Sequence, residues 1–254
     1  MTYLPTLLLL TISEVAILVT ICLIAGIVRG FSGFALSALV MASAALIIPP
    51  IQLIPICWWL EMTASLFMFH SGWQEANRKV AVGLAIGSTL GMPFGLALTM
   101  AIATELSKLL ALGVIITLAA LQLARVRMPF LVSNWGLYGS GWLAGVVTGV
   151  AGVGGMVVAL FVLSQKAQPR QMRASLVLFL FLSSVTTIVS LWYFGVMDQV
   201  AIKRGLVMAL PTGLGVVLGK LLFMPKWEYL YKPFCLTILI ALAGTGMIRV
   251  ILST

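Results

Sequence analysis

The stretch GIVRGFSGFALS, residues 26–37, sets an arginine and three glycines inside a chain that is otherwise strongly apolar. Residues 145–155, GVVTGVAGVGG, repeat its pattern: Gly26, Gly30 and Gly33 match Gly145, Gly149 and Gly152 at a constant offset of 119 (145 − 26 = 149 − 30 = 152 − 33). What two such stretches do depends on the solvent that surrounds them.

The chain has 254 residues, 62% of them hydrophobic and only 8% charged. Soluble domains carry about a quarter charged residues, and no soluble core of this length hides so much apolar surface. The apolar runs are continuous and do not alternate with polar residues, which excludes a β-barrel. The chain reads as an all-α polytopic membrane protein. Its net charge of +9 sits in short loops between the runs, which marks loop topology and does not call for nucleic acid. Cys22, Cys57 and Cys235 stand singly in apolar runs and read as buried hydrophobes without disulfides. The N-terminus lacks a basic lead-in and reads as part of the mature protein.

Ten apolar segments stand out: 15–28, 34–48, 51–69, 80–103 and 106–124, then 135–150, 155–163, 174–196, 205–219 and 234–248. The offset of 119 also relates Pro50 to Pro169, Gln52 to Gln171 and Ser65 to Ser184; later Gly91 and Gly95 match Gly215 and Gly219 at 124. The series divides the chain into two repeats, 1–130 and 131–254, of five segments each. An odd number inverts the second copy. The charges fit: Arg78, Lys79, Arg125, Arg127, Lys166, Arg170, Arg173, Lys220, Lys226 and Lys232 fall on one side, and Lys108, Lys203, Arg204 and Arg249 on the other. The richer side is expected in the cytoplasm, with both termini opposite. Arg29 belongs to neither set.

The arms around the glycines are about 22 Å long as helix, against a hydrocarbon core of about 30 Å. Half-helices are therefore expected to meet at glycine-broken hairpins near the midplane; should residues 4–12 extend the first arm, Glu14 falls mid-span. Short, glycine-broken segments at matching positions of inverted halves point to a transporter site. Helix N-termini after Gly33 and near Gly154 would offer free N–H groups and positive dipole ends to an anion, and Arg29 a permanent charge. The candidate substrate contacts are Arg29, Gly30, Ser32, Gly33, Gly149, Gly152, Gly154 and Gly155, with Ser65 and Ser184 as matched hydroxyls. The glycines have a second reading, since Gly26xxxGly30 and Gly145xxxGly149 are also helix-packing patterns. Glu61, midway along its segment, is a coupling candidate or a partner for Arg29. His70 reads as interfacial and no metal site is expected. The tryptophans read as an aromatic belt.

The paired glycine motifs, GIVRGFSGFAL from Gly26 and GVVTGVAGVGG from Gly145, with GVMD at 195–198, resemble the sulfite exporter TauE/SafE family of anion transporters. One departure is GGMVVAL from Gly154, where many members have a proline close behind the glycines. The resemblance implies movement of sulfite or an organosulfonate such as sulfoacetate. The expectation is a multi-pass inner (plasma) membrane transporter working by alternating access, with an anion channel or a non-transporting accessory subunit as the alternatives. No cofactor, no metal and no enzymatic activity is expected. The expected partners are a small anion and membrane lipid, with no nucleic acid, and a homodimer as an open assembly.

Overall fold

A computed structural model of the chain describes residues 8–126, 133–165, 169–222 and 228–253. The boundary at 130/131, together with Arg127, Lys166, Lys226 and Trp227, lies outside the described residues. Each apolar segment is a helix: α1 (Ile12–Ser32), α2 (Leu36–Ala44), α3 (Pro50–Glu75), α4 (Arg78–Ala101) and α5 (Thr104–Leu123), then α6 (Asn134–Ala151), α7 (Gly154–Ser164), α8 (Pro169–Tyr193), α9 (Gln199–Leu221) and α10 (Glu228–Ser253). Among the described residues there is no strand, and seven helices are long and apolar enough to cross a membrane.

Polar residues set where these helices begin. Thr11 caps α1: its hydroxyl accepts the Glu14 N–H while the Glu14 carboxylate accepts the Thr11 N–H at 2.8 Å, a reciprocal capping box. Glu14 therefore marks the helix start and is not mid-span. Asn77, Ser133 and Asp198 cap α4, α6 and α9, each side chain accepting one first-turn N–H. The 21 residues of α1 and 18 of α6 make helices of about 31 and 27 Å. α1 is long and apolar enough to cross and is not a half-helix, because Gly26 and Gly30 lie inside continuous helix; α6 also runs unbroken through Gly145 and Gly149 but is not among the seven apolar spans. Only the return arms are short: α2 has 9 residues and α7 has 11.

Those interior glycines are where the helices lock together. A methyl group on Gly26 would stand 3.2 Å from the Gly215 Cα, and one on Gly30 would stand 2.9 Å from the Gly219 Cα. A methyl on Gly145 would strike the Ser88 carbonyl, and one on Gly149 would stand 2.7 Å from the Gly95 Cα. Lipid offers no hydrophobic drive for helix association, so close backbone approach over small residues supplies the contact. Thr99 adds a hydroxyl bond of 2.9 Å to the Gly149 carbonyl.

The resulting pairs follow a rule. α1 packs on α9 and α6 on α4; α3 packs on α8; α3 packs on α9 and α8 on α4; α5 packs on α10. Exchanging α1–α5 with α6–α10 leaves this set unchanged. α1 runs parallel to α9, and α3 does too, because Arg204 meets Gln52 and Lys220 meets the Phe67 carbonyl. α3 and α8 run antiparallel: Gly72 packs on Val177, and Trp58 meets Ser184. α4 and α6 run parallel, along Leu84–Gly141 and Ser88–Gly145.

Candidate functional site

Both hairpins turn on a glycine in the left-handed region. Gly33 caps α1 with φ 80° and Gly152 caps α6 with φ 71°, a conformation that a side chain strains. Their N–H groups donate to the Arg29 and Thr148 carbonyls at 2.9 and 2.8 Å. The chain then reverses into α2 and α7. The first N–H groups of a helix have no partner within it, so each reversal leaves a positive helix end inside the protein.

These two ends share a cavity of about 50 Å³. Phe34, Ala35 and Ser37 line it from the first hairpin, and Gly152, Val153, Gly154 and Gly155 from the second. Glu61 and Cys57 of α3 and Ser183, Ser184 and Thr187 of α8 close the sides. Its depth follows from Glu61, the twelfth residue of the 21-residue apolar stretch Pro50–His70. At about 10–15 Å³ per water, the space suits a few waters or a small oxyanion.

The first hairpin already contains its own charges. Arg29 is fully buried, and its Nε lies 3.2 Å from the Glu61 Oε2. One guanidinium nitrogen donates to the Gly33 carbonyl, and the other reaches the Ser65 hydroxyl at 3.4 Å. Glu61 in turn accepts from Ser37, at 2.8 Å from the hydroxyl and 3.4 Å from the N–H. The arginine thus sits on the negative end of α1 and the carboxylate on the positive end of α2, each charge facing the helix dipole that favours it.

The second hairpin leaves the equivalent space open. At the offset of 119, Arg29, Ser37, Glu61 and Ser65 correspond to Thr148, Met156, Leu180 and Ser184. All four of the latter line the cavity. The Thr148 hydroxyl turns back to the Ala144 carbonyl at 2.7 Å, and the Ser184 hydroxyl to the Leu180 carbonyl at 2.7 Å. No side-chain carboxylate stands at the start of α7 among the lining residues.

The residues singled out from sequence therefore separate. Gly152, Gly154, Gly155, Ser184 and Glu61 come together around the cavity. Arg29, Gly33 and Ser65 form the wall behind Glu61, off the cavity itself. Ser32 ties the turn, donating to the Phe34 carbonyl at 2.7 Å. Gly30 and Gly149 face α9 and α4 in the helix contacts. His70 lies at the exposed end of α3, 3.2 Å from Gln74.

Three side chains escaped the sequence reading. Trp58 is no belt residue: it lines the cavity, and its indole N–H donates to the Ser184 carbonyl at 2.7 Å, joining α3 to α8. Arg204 is no loop charge: it is buried and bonds to the Leu8 carbonyl at 2.9 Å and to Gln52 at 3.0 Å. Thr148 was findable, since it stands one offset from Arg29. Cys22, Cys57 and Cys235 are buried and free.

A family model described as sulfite exporter TauE/SafE matches residues 18–245. That span takes in every residue lining the cavity. No curated protein and no solved structure matches the chain.

Proposed function

Because the chain belongs to the sulfite exporter TauE/SafE family of membrane transporters, we propose that it moves sulfite or an organosulfonate such as sulfoacetate by alternating access at this cavity. The observation that carries the reading is the meeting of two helix N-termini, those of α2 and α7, on one small space at mid-depth. The start of α7 is the half that receives the substrate. Gly154 and Gly155 present backbone N–H groups there, Ser183 and Thr187 offer hydroxyls to an oxyanion, and Ser184 joins them when its hydroxyl turns from the Leu180 carbonyl. Arg29 acts from behind the wall as the fixed positive charge.

The two halves, 1–130 and 131–254, act as inverted repeats that rock about the site. Support comes from the helix pairs that survive exchange of the halves and from the opposite directions of α3 and α8. The loops carrying Arg78, Lys79 and Arg125 face the cytoplasm, and the membrane is the inner (plasma) membrane.

The test is uptake of sulfite, sulfoacetate, sulfate and taurine into liposomes holding the purified protein. Saturable uptake of sulfite or sulfoacetate is expected. Uptake that rises linearly with concentration indicates a channel, and no uptake of any of the four removes the reading.

A further inference from the structure

An anion that reaches this cavity meets a carboxylate before it meets the arginine. Glu61 lines the space with its side chain 12% exposed, whereas Arg29 is fully buried and lies off the cavity behind it. Arg29 has no charge to spare while Glu61 is ionised: the pair at 3.2 Å is already neutral. Adding an anion leaves a net negative charge in a medium where charge is costly to hold.

Beyond the two helix ends, no other charged side chain among the described residues lines the cavity. α1 brings Arg29 and the thiol of Cys22, which lies near Cys57. α3 brings Cys57 one turn before Glu61. α2, α4, α6 and α7 present only hydroxyls and apolar groups to the cavity. At the start of α8, Arg173 is held on the Gly30 carbonyl at 2.5 Å. From α9, Arg204 meets Gln52 near one end of α3, and Lys220 meets the Phe67 carbonyl farther along. On α5, Lys108 is bonded to Glu105 at 3.0 Å.

We infer that Glu61 takes up one proton for each anion bound, so that substrate and proton occupy the site together. The inference rests on the anion-transport reading and deepens it. The proton bonds to a Glu61 carboxylate oxygen, the carboxyl becomes neutral, and Arg29 is freed as the counter-charge of the substrate. The carboxylate seated on the first turn of α2, bonded to the Ser37 N–H and hydroxyl, is the built-in anion of the first hairpin. Proton and anion each strengthen the other's binding, as linkage requires.

The experiment is calorimetric titration of purified protein with sulfoacetate and with methanesulfonate, in buffers of differing ionisation heat, from pH 5.5 to 8. Methanesulfonate keeps one charge throughout. In the wild type, one proton is expected to enter with each anion, and affinity should rise about tenfold per pH unit of acidification while Glu61 is ionised. Glu61→Gln should bind with no proton uptake and no pH slope. Ser37→Ala, which removes a bond favouring the carboxylate, should move the midpoint to higher pH and covers the case in which E61Q fails to fold. Anion binding by wild type without a proton overturns the inference and leaves the transport reading standing. An unchanged proton count in Glu61→Gln, or an unmoved midpoint in Ser37→Ala, assigns the proton elsewhere and overturns it too. No binding of either anion to wild type at any pH removes both readings.

Discussion

Thr148 stands in the second hairpin where Arg29 stands in the first. Both carbonyls accept the N–H of a left-handed glycine cap, at 2.8 and 2.9 Å. Beyond the backbone they part. The Arg29 side chain pairs with Glu61, while the Thr148 hydroxyl folds onto its own helix and leaves the space beside α7 open. One backbone device thus has two fillings, a built-in ion pair and a cavity.

The ion pair makes Arg29→Gln the most informative stability variant. It strands the Glu61 carboxylate at mid-depth, and breaking a buried pair from one side costs about 3–5 kcal/mol. Removing both charges leaves no stranded ion, so Arg29→Gln with Glu61→Gln should unfold at a higher temperature than Arg29→Gln alone. Thermal unfolding in detergent reads both. Equal melting temperatures for wild type and the two variants would show that the pair contributes nothing.

The glycines give a prediction of opposite signs. Gly95→Val and Gly219→Val place bulk against the backbones of Gly149 and Gly30, and overpacking of this kind costs about 1–3 kcal/mol or more. Gly113, inside α5, has nothing within 4 Å of an added methyl. There alanine should be neutral or raise stability by up to about 1 kcal/mol, since glycine disfavours helix by that amount. Yield and melting temperature of the three variants decide it; a Gly219→Val protein as stable as wild type would contradict the close crossing of α1 and α9.

What the sequence made legible follows from the solvent. Lipid requires long apolar runs with internal hydrogen bonds, so ten runs became ten helices. Gly33 and Gly152 were readable as turns because only glycine enters the left-handed region freely. The task of Gly26 and Gly30 was not readable from them alone, since a small residue serves close packing and ligand approach equally. Their partners, Gly215 and Gly219, lie far along the chain, though the five glycine pairs at matched offsets were the available signal. Trp58 was missed because an indole fits an interface or a buried hydrogen bond equally well, and only the neighbouring Ser184 carbonyl decides between them. The cavity's asymmetry was hidden until the offset was applied to Arg29 and Glu61 themselves.

Gly155→Ala tests the start of α7 without disturbing the helix contacts. The added methyl stands 3.1 Å from the tip of Leu180, a side chain that can yield, so the protein should fold. Both residues line the cavity, and the methyl narrows the space the anion needs. A loss of about tenfold in sulfoacetate affinity, equal to about 1.4 kcal/mol, is expected with little change in melting temperature. Unchanged affinity would move the site away from the second hairpin.

Cys57 offers a direct probe of access. It is free, buried and on the cavity wall, whereas Cys235 of α10 lies off it. In a Cys22→Ser, Cys235→Ser background it becomes the sole thiol of the 254-residue chain, which has three. Methyl methanethiosulfonate is small and uncharged, and alternating access should let it reach Cys57 from water during the open phases of the cycle. Mass spectrometry should show one adduct forming more slowly than on the unfolded chain, and saturating sulfoacetate should slow it further by occupying the same space. Labelling at an unchanged rate in sulfoacetate would place the bound anion outside this cavity. A thiol that reacts only after unfolding would mean that water never reaches the space between the hairpins, and transport would then have to take another route through the bundle.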